Sequence, residues 1–459
     1  MPIRRTLLLL IAAGLVAFQP GGVNADSLSW LDAYRDPASR LVGAAITNPF
    51  GWQRLAALTD ASGHRLSGSP QLEHAIQWVM AEMKKDGLEN VHAEPVTVPR
   101  WVRGRESAEI VEPSHLPIAM LGLGSSIGTP PQGIQAEALV VRSFEDLDAN
   151  ASRAKGRIVV FNVPFTDYVA TRVIRSNGAS RAASHHAVAA LVRSVGPAGL
   201  RLPHTGELNY AGSAPRIPAA AIATEDADRL QRMADRGERI VLHLQMEAHF
   251  EPDAQSANVV AEWRGREKPE EVVVVGGHLD SWDVGAGASD DGGGCVAAWE
   301  AVRLMKQLGL RPRRTVRLVL WTNEENGGRG GRAYRDAHSV ELSKHVMMLE
   351  ADSGLFMPVS FGFTGSPRGL ETVRAIATLL SGVSADLVAP GGGGSDIDPS
   401  VQAARIPAMS YDGTGDYFRI HHTDADTVDK IDPKDMSRAA AAIAVMTYVV
   451  AELPARLGE

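Results

Sequence analysis

The sequence predicts an α/β fold: a mostly parallel central sheet sandwiched by helices, with a β-rich unit inserted into it. Three observations point there. From Asn258 onward, short apolar runs suited to buried strands alternate with stretches of helical spacing. Polar clusters fall immediately after three of those runs, at the carboxyl ends where open α/β sheets bind ligands. Between Ile118 and Leu244 the character shifts to brief β-like runs broken by Gly and Pro.

At the start of the chain, Arg4 and Arg5 precede an apolar run from Leu7 to Phe18, then Pro20, Gly21, Gly22 and Val23-Asn24-Ala25. A basic region, a short apolar core and small residues make a secretory signal peptide, and the run is too short to span a bilayer comfortably. Residues 1–25 are expected to be removed after Ala25. The mature protein is then secreted or periplasmic, with no stable membrane insertion.

Residues 26–117 are expected to form the first part of the main domain. Helices are read over 30–41, 51–58 and 72–86, the last on the spacing of Ile76, Val79, Met80 and Met83 and its stop at Gly87. Residues 91–102 alternate as a strand. The inserted unit, 118–244, carries strand-like runs at 138–141, 157–161, 189–193 and 239–242 and a helix over 226–236. Its His185, His186 and His204 lack ligand-like spacing and read as surface or satisfied core residues. Residues 245–459 complete the main domain with strands at 271–275, 316–321 and 346–349 and a helix over 293–308.

The length of 459 residues suits two or three domains, and 44% hydrophobic with 22% charged residues suits a large core. A net charge of -8 argues against a nucleic-acid partner, which needs a basic face. The one cysteine, Cys295, excludes an intrachain disulfide and reads as a small buried residue near a helix start.

The chemistry lies at the strand ends. Gly276 to Gly294 brings His278, Asp280, Asp290 and Asp291 onto glycine-rich turns after an apolar run. Imidazole and carboxylate are the ligands of a catalytic metal site that keeps a position open for water. Glu324 and Glu325 follow the next strand; adjacent side chains point apart, so one can ligate while the other handles protons. Asp352 follows the third strand, and His421-His422 lies close enough in sequence to Asp426 for that carboxylate to orient one ring. Candidate ligands His278, Asp290, Glu325, Asp352 and His422 suit two divalent ions sharing one carboxylate.

This series of H-x-D, D-D-G, E-E, a strand-end Asp and H-[ST]-x-x-D resembles the zinc-dependent exopeptidases of the aminopeptidase and glutamate-carboxypeptidase clan. GGHLDSWDVG, His421-His422, PHTG and PRIPAAAIATEDA resemble its carboxypeptidase Q branch. The resemblance implies two zinc ions per chain, one on His278 and Asp352, the other on Glu325 and His422, with Asp290 bridging. It implies Glu324 as general base, Asp280 fixing the His278 ring, an inserted unit of the protease-associated type, a homodimer, and a small peptide as substrate. A tyrosine precedes the last ligand in glutamate carboxypeptidases; here the residue is His421, which becomes the candidate oxyanion donor, with Tyr417 as substitute. Spacing leaves Asp290 and Asp291 open as the bridge. The family position of Pro390 to Pro399 suggests that it lines the pocket, and a surface loop is the other reading for Ser395 and Asp396.

Carboxypeptidase or dipeptidase activity follows from this branch. An aminopeptidase with the same site is the alternative, and Asp283 or Arg419 would grip the substrate terminus. Glutaminyl cyclisation and a metal-free binding module conflict with a complete ligand set and an intact Glu324.

Overall fold

The computed structural model describes residues 25–212 and 214–458. The expected leader therefore lies outside the described residues but for Ala25, which begins a short 3-10 turn. Two eight-stranded sheets organise the rest.

In spatial order the first sheet runs Glu89–Val102, His249–Trp263, Arg314–Trp321, Lys268–His278, His345–Glu350, Ala408–Asp412, Ser360–Thr364 and Leu387–Pro390. Its four middle strands, from Arg314–Trp321 to Ala408–Asp412, are parallel, whereas antiparallel pairings join the flanks. The sheet is thus mixed, parallel where the functional residues sit. Register brings the strand ends level: His278 lies beside Trp321, and Gly276 beside Glu350. Helices Gly293–Gln307 and Pro433–Glu452 pack together on one face and against the sheet. The second of these escapes periodicity because its alanine-rich sequence is apolar on nearly every side, and it is buried accordingly.

The second sheet begins earlier than the expected 118. Strands Glu106–Glu112 and Leu116–Ile118 belong to it, and Glu106 pairs with Met246 of the closing strand Val241–Met246. Alternation alone cannot show which sheet a strand joins. The unit is also less purely β than its sequence suggests. Helix Tyr168–Ser184 turns Gly178, Ala179, Ala182 and Ala183 inward, so no large apolar stripe marks it. Strand Ala219–Ile222 is likewise mostly alanine, a residue depleted in strands.

Candidate metal centre

His278 ends its strand fully buried, and its Nδ1 lies 2.9 Å from the Asp280 carbonyl oxygen. Donation there leaves Nε2 free as a ligand. Nε2 lies 3.3 Å from Asp290 Oδ1 and 3.3 Å from Asp352 Oδ1. On the other side, His422 Nε2 lies 3.1 Å from Asp290 Oδ2 and 3.1 Å from Glu325 Oε2. The two oxygens of Asp290 therefore face two different histidine–carboxylate pairs. His278 Nε2, Asp290 Oδ2 and Glu325 Oε1 are buried without a hydrogen-bond partner, as metal-ligating atoms are when counted among protein groups alone.

Electrostatics agree with a cation-seeking cluster. Burial pushes Glu325 up to about 8 and Asp352 up to about 6, against the pull of His422 and His278 respectively. Burial disfavours a charged His278, but Asp352 and Asp290 outweigh it and raise the ring well above the ordinary value. Protons occupy sites that a divalent ion would take. The donor set of imidazole and carboxylate oxygen fits such ions.

The supporting residues hold backbone more than rings. Asp280 meets the His278 ring through its backbone carbonyl, 2.9 Å from Nδ1. Its carboxylate lies 3.8 Å from Nδ1 and accepts from the Glu324 N–H at 3.2 Å, the Glu325 N–H at 3.4 Å and the Ser67 hydroxyl at 3.1 Å. Asp280 thus sets the turn that presents both glutamates. Asp291 faces away from the cluster, accepting from the His278 N–H at 3.0 Å and the Gly294 N–H at 3.1 Å. A Cβ at Gly277 would overlap that carboxylate, which accounts for the glycine. Asp426 orients neither histidine; it accepts from the N–H groups of Ser289 at 2.6 Å and Asp290 at 3.0 Å. Fully buried Arg65, unnoticed in the sequence, donates to the carbonyls of Leu279 at 2.6 Å, Ala286 at 2.7 Å and Gly287 at 2.9 Å. Cys295 is buried, its Sγ donates to the His278 carbonyl at 3.1 Å, and burial pushes the thiol well up, so it packs rather than reacts.

A cavity of about 440 Å³ opens beside the cluster, lined by Asp290, Glu324, Glu325, Asp352, His421 and His422. His421 stacks on His422 at 3.5 Å between centroids, its Nε2 lies 3.5 Å from Asp290 Oδ2, and its buried Nδ1 has no partner. Burial, then neighbouring His422, holds its ring well below the ordinary pKa and therefore neutral. Tyr417 and Ser395 also line the cavity. Asp396 is fully buried, and its own N–H donates to Glu350 at 3.1 Å.

The opposite wall comes from the second sheet's unit, through Tyr168, Arg172, Arg175 and Glu207. Sequence reasoning missed all four. Thr205, within the PHTG segment, grips His422 twice: its N–H donates to the His422 carbonyl at 3.0 Å, and its own carbonyl lies 3.2 Å from Nδ1. Of the unit's histidines, His204 is buried beside this contact, with its pKa lowered to about 4 by burial and then by His422, and His185 pairs with Asp148 at 2.8 Å. The candidate terminus-grippers do not serve. Asp283 is tied to Arg103 at 2.5 Å, and exposed Arg419 pairs with Asp416 at 3.0 Å.

Residues 258–447 match peptidase family M28. The chain is 48% identical to carboxypeptidase Q of Mus musculus over 92% of this chain and 90% of that protein. It superimposes on a peptidase M28 precursor from Shewanella amazonensis with a TM-score of 0.89 at 34% identity, covering 93% of this chain and 99% of the other. A zinc aminopeptidase from Bacillus subtilis shares the fold, with a TM-score of 0.67 at 20% identity over 89% of this chain and 96% of the other. The protein belongs to peptidase family M28 and is a metallopeptidase of mixed α/β fold. Its extended likeness is to carboxypeptidase Q, across both sheets rather than the metal-bearing part alone. Among the described residues no helix is long and apolar enough to cross a membrane.

Proposed function

We propose that this protein is a secreted di-zinc exopeptidase that hydrolyses dipeptides or short peptides, as a carboxypeptidase or dipeptidase. The division of Asp290 between two histidine–carboxylate pairs carries the reading, because a shared carboxylate is the hallmark of a two-ion hydrolytic centre. His278 and Asp352 would hold one ion, Glu325 and His422 the other. When bound, the ions would acidify water and polarise the scissile carbonyl.

Glu324 lines the cavity next to these residues without being one of the paired carboxylates, which supports it as the base that would take the proton of the attacking water and return it to the leaving amine. The carbonyl oxygen gains negative charge in that step. His421 answers it by donating from its ring, a role open to a neutral imidazole with an unused nitrogen. The likeness to carboxypeptidase Q supports the carboxypeptidase reading; a homodimer and a protease-associated character of the inserted unit complete the proposal. The basic and apolar segment over 1–25 supports export.

Glu324→Gln tests the mechanism. Turnover of a dipeptide should fall by roughly 10²–10⁴ while two zinc ions per chain remain bound by elemental analysis. Full activity in that variant removes Glu324 from the mechanism, and one ion per chain removes the two-metal reading.

A further inference from the structure

One side chain at the seam between the two units binds both of them. Arg103 follows the last residue of strand Glu89–Val102, and its side chain is only 10% exposed. Toward the metal-bearing part, its Nε and one terminal nitrogen donate to the two carboxylate oxygens of Asp283, at 2.8 and 2.5 Å. Toward the inserted unit, its terminal nitrogens donate to the Gly122 carbonyl, to Glu106 at 3.4 Å and to the Thr205 hydroxyl at 3.4 Å. The same Gly122 carbonyl accepts from the Thr205 hydroxyl at 2.7 Å. A planar fork with five donors can hold all of these at once, and here it fixes Thr205 relative to Asp283.

Both of those partners lead to His422. Thr205 grips it through its own N–H and carbonyl. Trp282, next to Asp283, stands edge-on to the His422 ring with centroids 5.7 Å apart, in a notch that a Cβ at Gly124 would fill. His422 needs such holding. Its φ is +61°, a left-handed conformation that a residue with a Cβ adopts at a cost. Backbone of this kind persists where the surrounding contacts over-determine it. His278 has no such need, because the carbonyl of Asp280 aims its ring.

Resting on the two-ion exopeptidase reading above, we propose that Arg103 is a positioning residue of the metal centre. Through Asp283 and Thr205 it clamps the inserted unit to the rim, so that His422 can complete its half. Arg103 does not line the cavity and acts through its neighbours.

The test is metal binding by the full chain, titrated from the apoprotein with Zn²⁺ and with Co²⁺ against a competing chelator. Cobalt accepts the same nitrogen and oxygen ligands, and its visible spectrum reports their geometry. Arg103→Lys keeps a positive charge between Asp283 and Glu106 but cannot span Asp283, Gly122 and Thr205 together. It should weaken one ion by roughly tenfold or more, leave the other within about twofold, and alter the cobalt spectrum of the weakened step alone. In a Glu325→Gln background, where the His278 half keeps its own ligands, Arg103→Lys should leave the remaining ion unaffected. Asp283→Asn should reproduce the one-sided loss, and the double variant should be no worse than the poorer single one, since both act through one pair. Unchanged affinities in both single variants overturn the inference, as does an equal loss at the two ions, which marks general loosening. A wild-type chain that loads two ions yet cleaves no dipeptide, with the one-sided loss intact, overturns the exopeptidase reading and keeps the clamp. A wild-type chain that binds a single ion overturns both.

Discussion

The strand-end rim of the first sheet and the face of the inserted unit meet across one cavity, but they hold their polar groups differently. On the rim, Asp280, Asp291 and Asp426 each accept backbone N–H groups from the turns that carry ligands, and Arg65 gathers three carbonyls of the Leu279–Gly287 loop. The inserted unit reaches the centre through one backbone segment, Thr205, and through side chains of one helix and one loop. The two candidate histidine ligands show the contrast best. His278 is aimed by a carbonyl of its own segment, Asp280, whereas His422 is aimed by a carbonyl from the other unit. One half of the centre is therefore self-contained and the other depends on the insert.

Disabling the rim should have the largest effect. Asp290→Asn removes the carboxylate common to both halves; activity should drop by roughly 10³ or more, and elemental analysis should show loss of both ions rather than one. Arg65→Met leaves several buried carbonyls without donors and should lower stability by about 3–5 kcal/mol in chemical denaturation. A normal unfolding midpoint with full metal content in that variant would show that the loop holds itself.

Lowering pH should act on both halves but not at one point. Burial pushes the Glu325 carboxyl up to about 8 and the Asp352 carboxyl up to about 6. Ions must displace those protons, so affinity should rise as pH increases through each value, by about tenfold per pH unit for each proton released. Competition with a chelator at graded pH measures this, and the His422 half should weaken first on acidification. An affinity that is flat over this range contradicts the assignment of Glu325. The smallest effect is expected from the insert. Gly206→Ala adds a Cβ against the Arg175 guanidinium at a φ of +134°, displacing Thr205. Zinc should bind about tenfold more weakly at one site only, with the His278 half unchanged in stoichiometric titration.

The rim was legible because chemistry and periodicity coincide there. The strands read at 271–275, 316–321 and 346–349 are each followed by a polar cluster, and parallel pairing brings those ends level. What escaped notice lacked a local signature. Arg65 sits in a Gly/Ser-rich turn, where an arginine reads as solvated, and only the folded loop shows its buried carbonyl partners. Asp280 and Asp426 were recognised as important residues, but spacing cannot say whether a carboxylate faces a ring or a backbone N–H. Helix Tyr168–Ser184 was missed for its small inward residues, and with it the wall carrying Tyr168, Arg172 and Arg175. Glu207 gives no signal in one dimension, since only the fold brings it into the cavity that Glu324 also lines.

The chain leaves the first sheet at Val102 and returns at His249, and those two residues are partners on neighbouring antiparallel strands. The whole intervening unit therefore hangs where an ordinary hairpin turn could stand. The register of the parallel strands is set by their own pairings and not by this unit. It is nonetheless no loose appendage: Trp282 of the metal-side rim is packed into its core and Tyr168 stacks on Phe418 at 5.2 Å, so the two parts are welded along a broad face as well as through Thr205.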